Sequence, residues 1–265
     1  MTLSKFSKAL LAAIMGVGLA FIYVPLIIVV INSFNTSMNM AWPPTGFTLE
    51  WWGRAAGSQG LLASLGLSIF VAACATAIAL SLGTLISLAL SRYKFFGRES
   101  VSLLVVLPIA LPGIVTGIAL NNAFRTIMGV QLSAATVIIA HATFCIVTVY
   151  NNVMARLARM NRSLEEASAD LGAGLWTTFR LVTFPQMRSA LFAGGLLAFG
   201  LSFDEIIVTT FTAGAGTQTL PIWILTNMFR PNQAPVVNVV AVAMVVISVI
   251  PIYVAQRMAG AESRR

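Results

Sequence analysis

Between Arg156 and Pro185 the chain reads RLARMNRSLEEASADLGAGLWTTFRLVTFP, a charged and polar stretch with apolar runs on either side that are long enough to cross a bilayer. Within it Glu166-Ala167-Ser168 is followed by Gly172 and then by Val182-Thr183-Phe184-Pro185. A compact, helix-forming loop on the positively charged side of a membrane protein offers a docking surface to something soluble. It points to transport driven by a partner.

Composition sets the surroundings of that loop. Of 265 residues, 58% are hydrophobic and 9% charged, where a soluble domain carries about 25% charged residues. One soluble core of this size could not hide so much apolar side chain. The net charge of +8 then reflects the sorting of loops across a membrane rather than nucleic-acid binding.

A crossing helix needs about 20 predominantly apolar residues. Runs of this kind cover approximately Ala9 to Ile31, Leu61 to Leu90, Val101 to Phe124, Leu132 to Tyr150, Ser189 to Phe211 and Val236 to Val254. The pattern predicts an all-α, polytopic membrane protein with six transmembrane helices, one transmembrane domain over residues 1–265 and a loop at about 151–187. The second run exceeds one crossing and tilts or extends past the headgroups. The first is longer than the 7–15 apolar residues of a signal peptide and reads as a retained span. With the N-terminus inside, every Lys and Arg except Arg54, Arg125 and Arg230 falls on the cytoplasmic side, as short cytoplasmic loops require. Both termini and the Arg156 to Pro185 loop are thereby assigned to the cytoplasm.

Chemistry in the enzymatic sense has little to work with. Cys74 and Cys145 lie in separate predicted spans and read as small packing residues. His141 is the single histidine, about 12 Å in from the outer end of the fourth span. With no second His, no Cys-x-x-Cys and no nearby carboxylate in sequence, metal ligation is not expected. Its ring nitrogens are expected to bond a neighbouring helix or a carbonyl, with a place in the translocation path as the alternative. No Gly-x-x-x-x-Gly-Lys-Ser/Thr phosphate loop occurs.

Two features point to a cavity. Leu107-Pro108-Ile109-Ala110-Leu111-Pro112-Gly113 kinks the third span, and Gly113 with Gly117 lets another helix approach closely. The acidic pair Asp204 and Glu205 lies toward the outer half of the fifth span, where ionised carboxylates are costly without a partner or a wet path. No Lys or Arg occurs in the apolar cores of the six runs to pair with them. Adjacent helical residues point about 100° apart, so one carboxylate can face the path while the other meets a helix end. A cationic solute from outside would meet them early. Beyond that span, Leu220 to Leu225 suits a re-entrant or interfacial helix on the outer face. The outer loop Asn32 to Gly60 carries Trp42, Trp51 and Trp52, either as an interfacial belt or as a seat for an external protein.

The spacing Glu-Ala-Ser, three residues, Gly, nine residues, Val-x-Phe-Pro resembles the Glu-Ala-Ala loop of bacterial ATP-binding-cassette (ABC) importer permeases. Ser168, Val182 and Phe184 replace that loop's usual second Ala, Ile and Leu. Leu107 to Gly117, His141-Ala142-Thr143-Phe144, Leu201 to Phe211 and Thr219-Leu220-Pro221 are similar to the spermidine/putrescine-type permeases, in particular their second-permease branch. The resemblance runs roughly from Phe21 to Pro251. It implies a type I importer permease fold in the bacterial inner membrane. It further implies a second permease, an extracytoplasmic solute-binding protein and two cytoplasmic ATPases that hold the ATP and Mg, with no cofactor in this chain. It places ATPase coupling on Glu165, Glu166, Ala167, Ser168, Gly172 and Pro185, with two short helices joined at Gly172, where a side chain would obstruct the bend. Asp204, Glu205 and His141 are the expected substrate path, for polyamines or a related small amine. A secondary transporter using the carboxylates as a proton or ion relay is the alternative, although no internal repeat is evident. A membrane-embedded enzyme would need a paired nucleophile and base, which the sequence lacks.

Overall fold

A computed structural model describes residues 4–247, so the end of the sixth predicted span and the C-terminal arginines lie outside the described residues. Every regular element among the described residues is helical, apart from one isolated bridge between Asn35 and Phe47. They form two compact units. One comprises the described residues up to Leu62 and from Ile224 onward; the other is Ala63–Trp223.

The first unit opens with α1, Lys5–Asn32, whose N-terminus is capped by the Ser4 hydroxyl accepting from the Ser7 N–H at 3.1 Å. No residue of α1 is buried within the chain. Lipid is as apolar as leucine, so such a helix needs no protein cover in a bilayer. The outer loop is ordered around Trp51, whose indole N–H donates to the Asn35 carbonyl at 2.7 Å and whose ring is 2% exposed. Trp51 is therefore an internal anchor, while Trp42 remains exposed as a belt residue would be. Short helix α2, Glu50–Gly57, carries Trp51 and places the Arg54 guanidinium over its ring at 4.8 Å.

The second unit is built on α3 (Gln59–Arg92), which starts in the first unit, and on α6 (Ala134–Leu157). Between them, α4 (Arg98–Ala110) and α5 (Gly113–Asn122, continued by a π turn at Ala123–Ile127) meet at 106°. The third predicted span is thus a sharply broken pair rather than one kinked helix. A residue before proline is pushed out of the helical region. Leu111 accordingly adopts φ −81°, ψ 143°, and Pro112 starts α5 as its N-cap.

After α6 come α7 (Ser163–Asp170) and α8 (Leu175–Thr178), which runs through a π turn at Phe179–Thr183 into α9 (Phe184–Phe203). The chain then forms α10 (Ile207–Thr212), α11 (Leu220–Asn227) and α12 (Ala234–Ile247). α1, α3 and α6 are long and apolar enough to cross a membrane, and α4 with α5 makes a fourth crossing if read as one broken span. α9 falls short because its first turns carry Gln186 and Arg188. The fifth predicted span is interrupted at Asp204 to Ile206.

The core of the second unit joins Ala79, Cys145, Val149, Val153, Leu157, Met187 and Ala198. Small residues set its spacing, as membrane helices require. A Cβ on Gly83 would lie 3.0 Å from the Ile146 carbonyl oxygen, and one on Gly194 would lie 3.3 Å from Asn152 Cβ. The Cys145 thiol donates to the Ala198 carbonyl at 3.3 Å inside this packing, and both cysteines are free.

Candidate functional site

The residues singled out from sequence gather in two places, the α7–α8 loop and the break between α9 and α10. In the loop, Asn161 Oδ1 accepts the Ser163 N–H at 3.1 Å, and Glu165 and Glu166 sit in the first turn of α7. Carboxylates there complement the positive end of the helix dipole. The helix stops in a Schellman motif: the Gly172 N–H donates to the Ala169 carbonyl at 2.8 Å and the Ala173 N–H to the Ser168 carbonyl at 3.1 Å. Gly172 holds φ +79°, and a Cβ there would meet nothing within 4 Å. The glycine is needed for its left-handed backbone and not, as expected, to avoid obstruction. Pro185 lies in the first turn of α9, as the sequence spacing predicts.

Glu165 is spent inside the chain. Its Oε1 accepts from Arg92 Nη2 at 2.7 Å and from the Thr183 hydroxyl at 2.7 Å. The two charged side chains are 19% and 18% exposed, so the pair is partly shielded from water. Ser168 Oγ lies 3.0 Å from Thr178 Oγ1, and Arg162 donates to the Ser91 carbonyl at 2.9 Å. α7 is thereby strapped to the end of α3 and to the base of α9. Glu166, Ala167 and Gly172 remain exposed.

Sequence reasoning missed the apolar half of this surface. Leu171 is 89%, Leu175 84% and Trp176 72% exposed, and Leu164 of α7 is exposed as well. The signal was there to read: large apolar residues flank Gly172 within an otherwise polar segment.

At the second place, Asp204 ends α9 with its backbone N–H donating to the Gly200 carbonyl at 3.2 Å, and the residue is exposed. Glu205 turns the other way: its Oε1 accepts the Val208 N–H at 2.9 Å and so caps α10. Of the two expected roles the structure shows the helix-end contact, made by Glu205, while Asp204 is exposed. His141, 1% exposed, reaches from α6 across the break. Its Nδ1 lies 2.8 Å from Ser202 Oγ on α9 and its Nε2 lies 2.9 Å from Thr209 Oγ1 on α10. His141 is a buried stitch between the two helices, with both ring nitrogens occupied. The partner residues Ser202 and Thr209 went unassigned in the sequence, because a fourfold helical period does not carry through a break.

α10 rests on α5. A Cβ on Gly113 would meet Ile207 at ordinary contact, 3.7 Å, whereas one on Gly117 would fall 2.8 Å from Phe211 Cδ2. One turn further, Asn121 Nδ2 donates to the Phe211 carbonyl at 2.5 Å. The close approach expected of the two glycines is therefore made by the helix that follows the acidic pair. The Thr136 hydroxyl on α6 also donates to the Thr212 carbonyl at 2.8 Å. Among the described residues no three His, Cys, Asp or Glu side chains converge as a metal site.

Comparisons with known proteins give the family and the fold. Residues 79–261 match the family described as binding-protein-dependent transport system inner membrane component. The putrescine transport system permease protein PotI of Escherichia coli (strain K12) is 31% identical over 260 residues, covering 95% of this chain and 92% of its own length. The spermidine/putrescine transport system permease protein PotC of the same strain is 33% identical over 241 residues, covering 91% and 90%. In three dimensions the chain is similar to one from a bacterial ABC transporter involved in the import of the acidic polysaccharide alginate, with a TM-score of 0.73, 15% identity and 98% of each chain covered. At that identity the likeness is one of fold. This chain belongs to the family of binding-protein-dependent transport system inner membrane components.

Proposed function

We propose that this permease subunit carries a small polyammonium solute, of the putrescine or spermidine class, into the cell. The observation that carries the reading is Asp204. It is an exposed carboxylate at a helix break inside an apolar run, and no Lys or Arg pairs with it among the described residues. A carboxylate at membrane depth is unfavourable unless it meets water or a cation, and relatives aligned along most of this chain are named for putrescine and spermidine transport.

The subunit works with a second permease, two cytoplasmic ATPases and an extracytoplasmic binding protein. ATP and Mg would be held by the ATPases. In this reading the segment 151–187 is the coupling loop and faces the cytoplasm with both termini. Closure of the ATPases displaces α7 and α8 through Glu166, Leu171, Leu175 and Trp176. The Glu165 strut passes that displacement to the end of α3, and the helical path from Leu175 to Phe203 passes it to Asp204. His141 keeps α10 moving with α9. Only differential contact of cargo with the inward and outward states lets such a cycle drive import.

The test is cargo-stimulated ATP hydrolysis by the reconstituted importer over putrescine, spermidine and neutral amino acids. Stimulation by the amines and its loss in Asp204→Asn are expected. Equal stimulation by neutral amino acids would remove the amine assignment. Uptake by the lone subunit without ATPases would favour the ion-coupled alternative.

A further inference from the structure

α3 and α9 enclose between them an open groove of about 600 Å³ toward the end that carries the α7–α8 loop. Its walls are apolar, with Leu85 and Leu88 on α3 and Phe184 and Phe192 on α9. Three polar side chains line the same groove: the Ser81 hydroxyl donates to the Ala77 carbonyl at 2.9 Å, and the other two are unsatisfied. The Thr84 hydroxyl is buried and has no hydrogen-bond partner. Arg188 is exposed, and among the described residues it has no hydrogen bond or ion pair. It lies one helical turn from Phe184 and one from Phe192, so the guanidinium shares a face with two aromatic rings.

Three other arginines near this end of α3 and α9 are committed elsewhere. Arg92 is paired with Glu165, Arg98 donates to the Leu90 carbonyl at 2.7 Å, and Arg156 donates to the Gln186 carbonyl at 2.7 Å. An uncommitted guanidinium with a hydroxyl in an apolar groove suits an amphiphile with an anionic head. The same charge repels a polyammonium cargo, which separates this groove from the transport path.

We propose that the groove binds an anionic phospholipid of the inner leaflet, with its phosphate on Arg188 and one acyl chain along the Leu85 and Leu88 wall. The leaflet rests on the orientation proposed above; the binding itself does not. A phosphate at the headgroup level is held by a single arginine with about a five-fold gain in occupancy, and the aromatic flanks keep that arginine extended at the interface.

The experiment is native mass spectrometry of the delipidated importer complex titrated with phosphatidylglycerol or phosphatidylcholine, in the absence of cargo and nucleotide. Failure of the transport reading would leave this measurement unaffected. Phosphatidylglycerol is expected to be retained over phosphatidylcholine. Arg188→Gln lowers its occupancy about five-fold, Arg188→Lys retains most of it, and Arg180→Gln, on the exposed π turn outside the groove, changes nothing. Leu85→Trp, which fills the groove and keeps the charge, lowers occupancy as well and serves if the Arg188 variants fail to assemble. Equal retention of both lipids, equal loss in Arg180→Gln, or a cysteine at Leu85 that crosslinks to the second permease would overturn the proposal.

Discussion

The two adjacent carboxylates show how far side-chain roles diverge over one peptide bond. Glu205 caps α10 through the Val208 N–H, whereas Asp204 has no such duty. Glu205→Ala is therefore expected to lower thermal stability by about 1 kcal/mol, the usual worth of a helix cap. Asp204→Asn leaves the melting temperature unchanged while reducing amine uptake. A melt and an uptake assay at equal expression separate the two. Glycines diverge in the same way. Gly117→Ala puts a methyl against Phe211 at 2.8 Å, and overpacking of this kind costs about 1–3 kcal/mol. Gly113→Ala meets Ile207 at 3.7 Å and is expected to be tolerated. Thermal unfolding of the purified complex should rank them in that order. The Gly113 and Gly117 step was legible in the sequence because both residues lie on one face of one helix. The His141 bridge was legible only as a generic bond to a neighbour, since Ser202 and Thr209 sit on two different helices.

At the scale of the element, the α7–α8 loop combines a strut and an exposed face. Removing the Arg92 to Glu165 pair costs about 1.5–3 kcal/mol, the worth of a charge-assisted hydrogen bond. Glu165→Ala is accordingly expected to leave co-purification with the ATPases intact, to increase protease cleavage between Asn161 and Gly174, and to lower the uptake obtained per ATP hydrolysed. Leu171→Glu or Trp176→Asp acts on the other side, weakening co-purification because the exposed apolar residues lose their seat on the partner. If Glu165→Ala abolished co-purification while Trp176→Asp did not, the two roles would be reversed. The loop's helices and its turn at Gly172 followed from local signals of acidic residues, a glycine and a proline. The strut did not, because Arg92 is far away in sequence and meets Glu165 only when α3 and α7 are in place.

For the whole molecule, the asymmetry of Lys and Arg predicts that Leu171→Cys, in a background lacking Cys74 and Cys145, reacts with a membrane-impermeant thiol reagent only in inside-out vesicles. Labelling in right-side-out vesicles would reverse the assigned topology. α1 offers a second expectation at this scale. None of its residues is buried within the chain, so single polar substitutions along it are judged by the bilayer or by the second permease. Depth of substitution, read as the amount inserted, should matter more than helical face, with central charges costing about 2.5–3.5 kcal/mol.

What the sequence determined alone is whatever depends on composition and on neighbours along the chain: residence in the membrane, an all-helical fold, the proline-directed break at Leu111 and the turn at Gly172 that ends α7. Hydrophobic content and backbone preference act locally, so one dimension is enough to read them. Tertiary structure alone decided which polar groups remain free. Glu165 and Arg156 keep their charge wherever they are written, yet each is consumed by a partner that only packing brings near. Asp204 and Arg188 stay available because the fold supplies them no such partner among the described residues, and Trp176 stays exposed although its ring stacks on Phe179. In the function proposed above that remainder carries the work, since a charge or apolar surface already satisfied within the chain has little free energy left to exchange with cargo, ATPase or lipid.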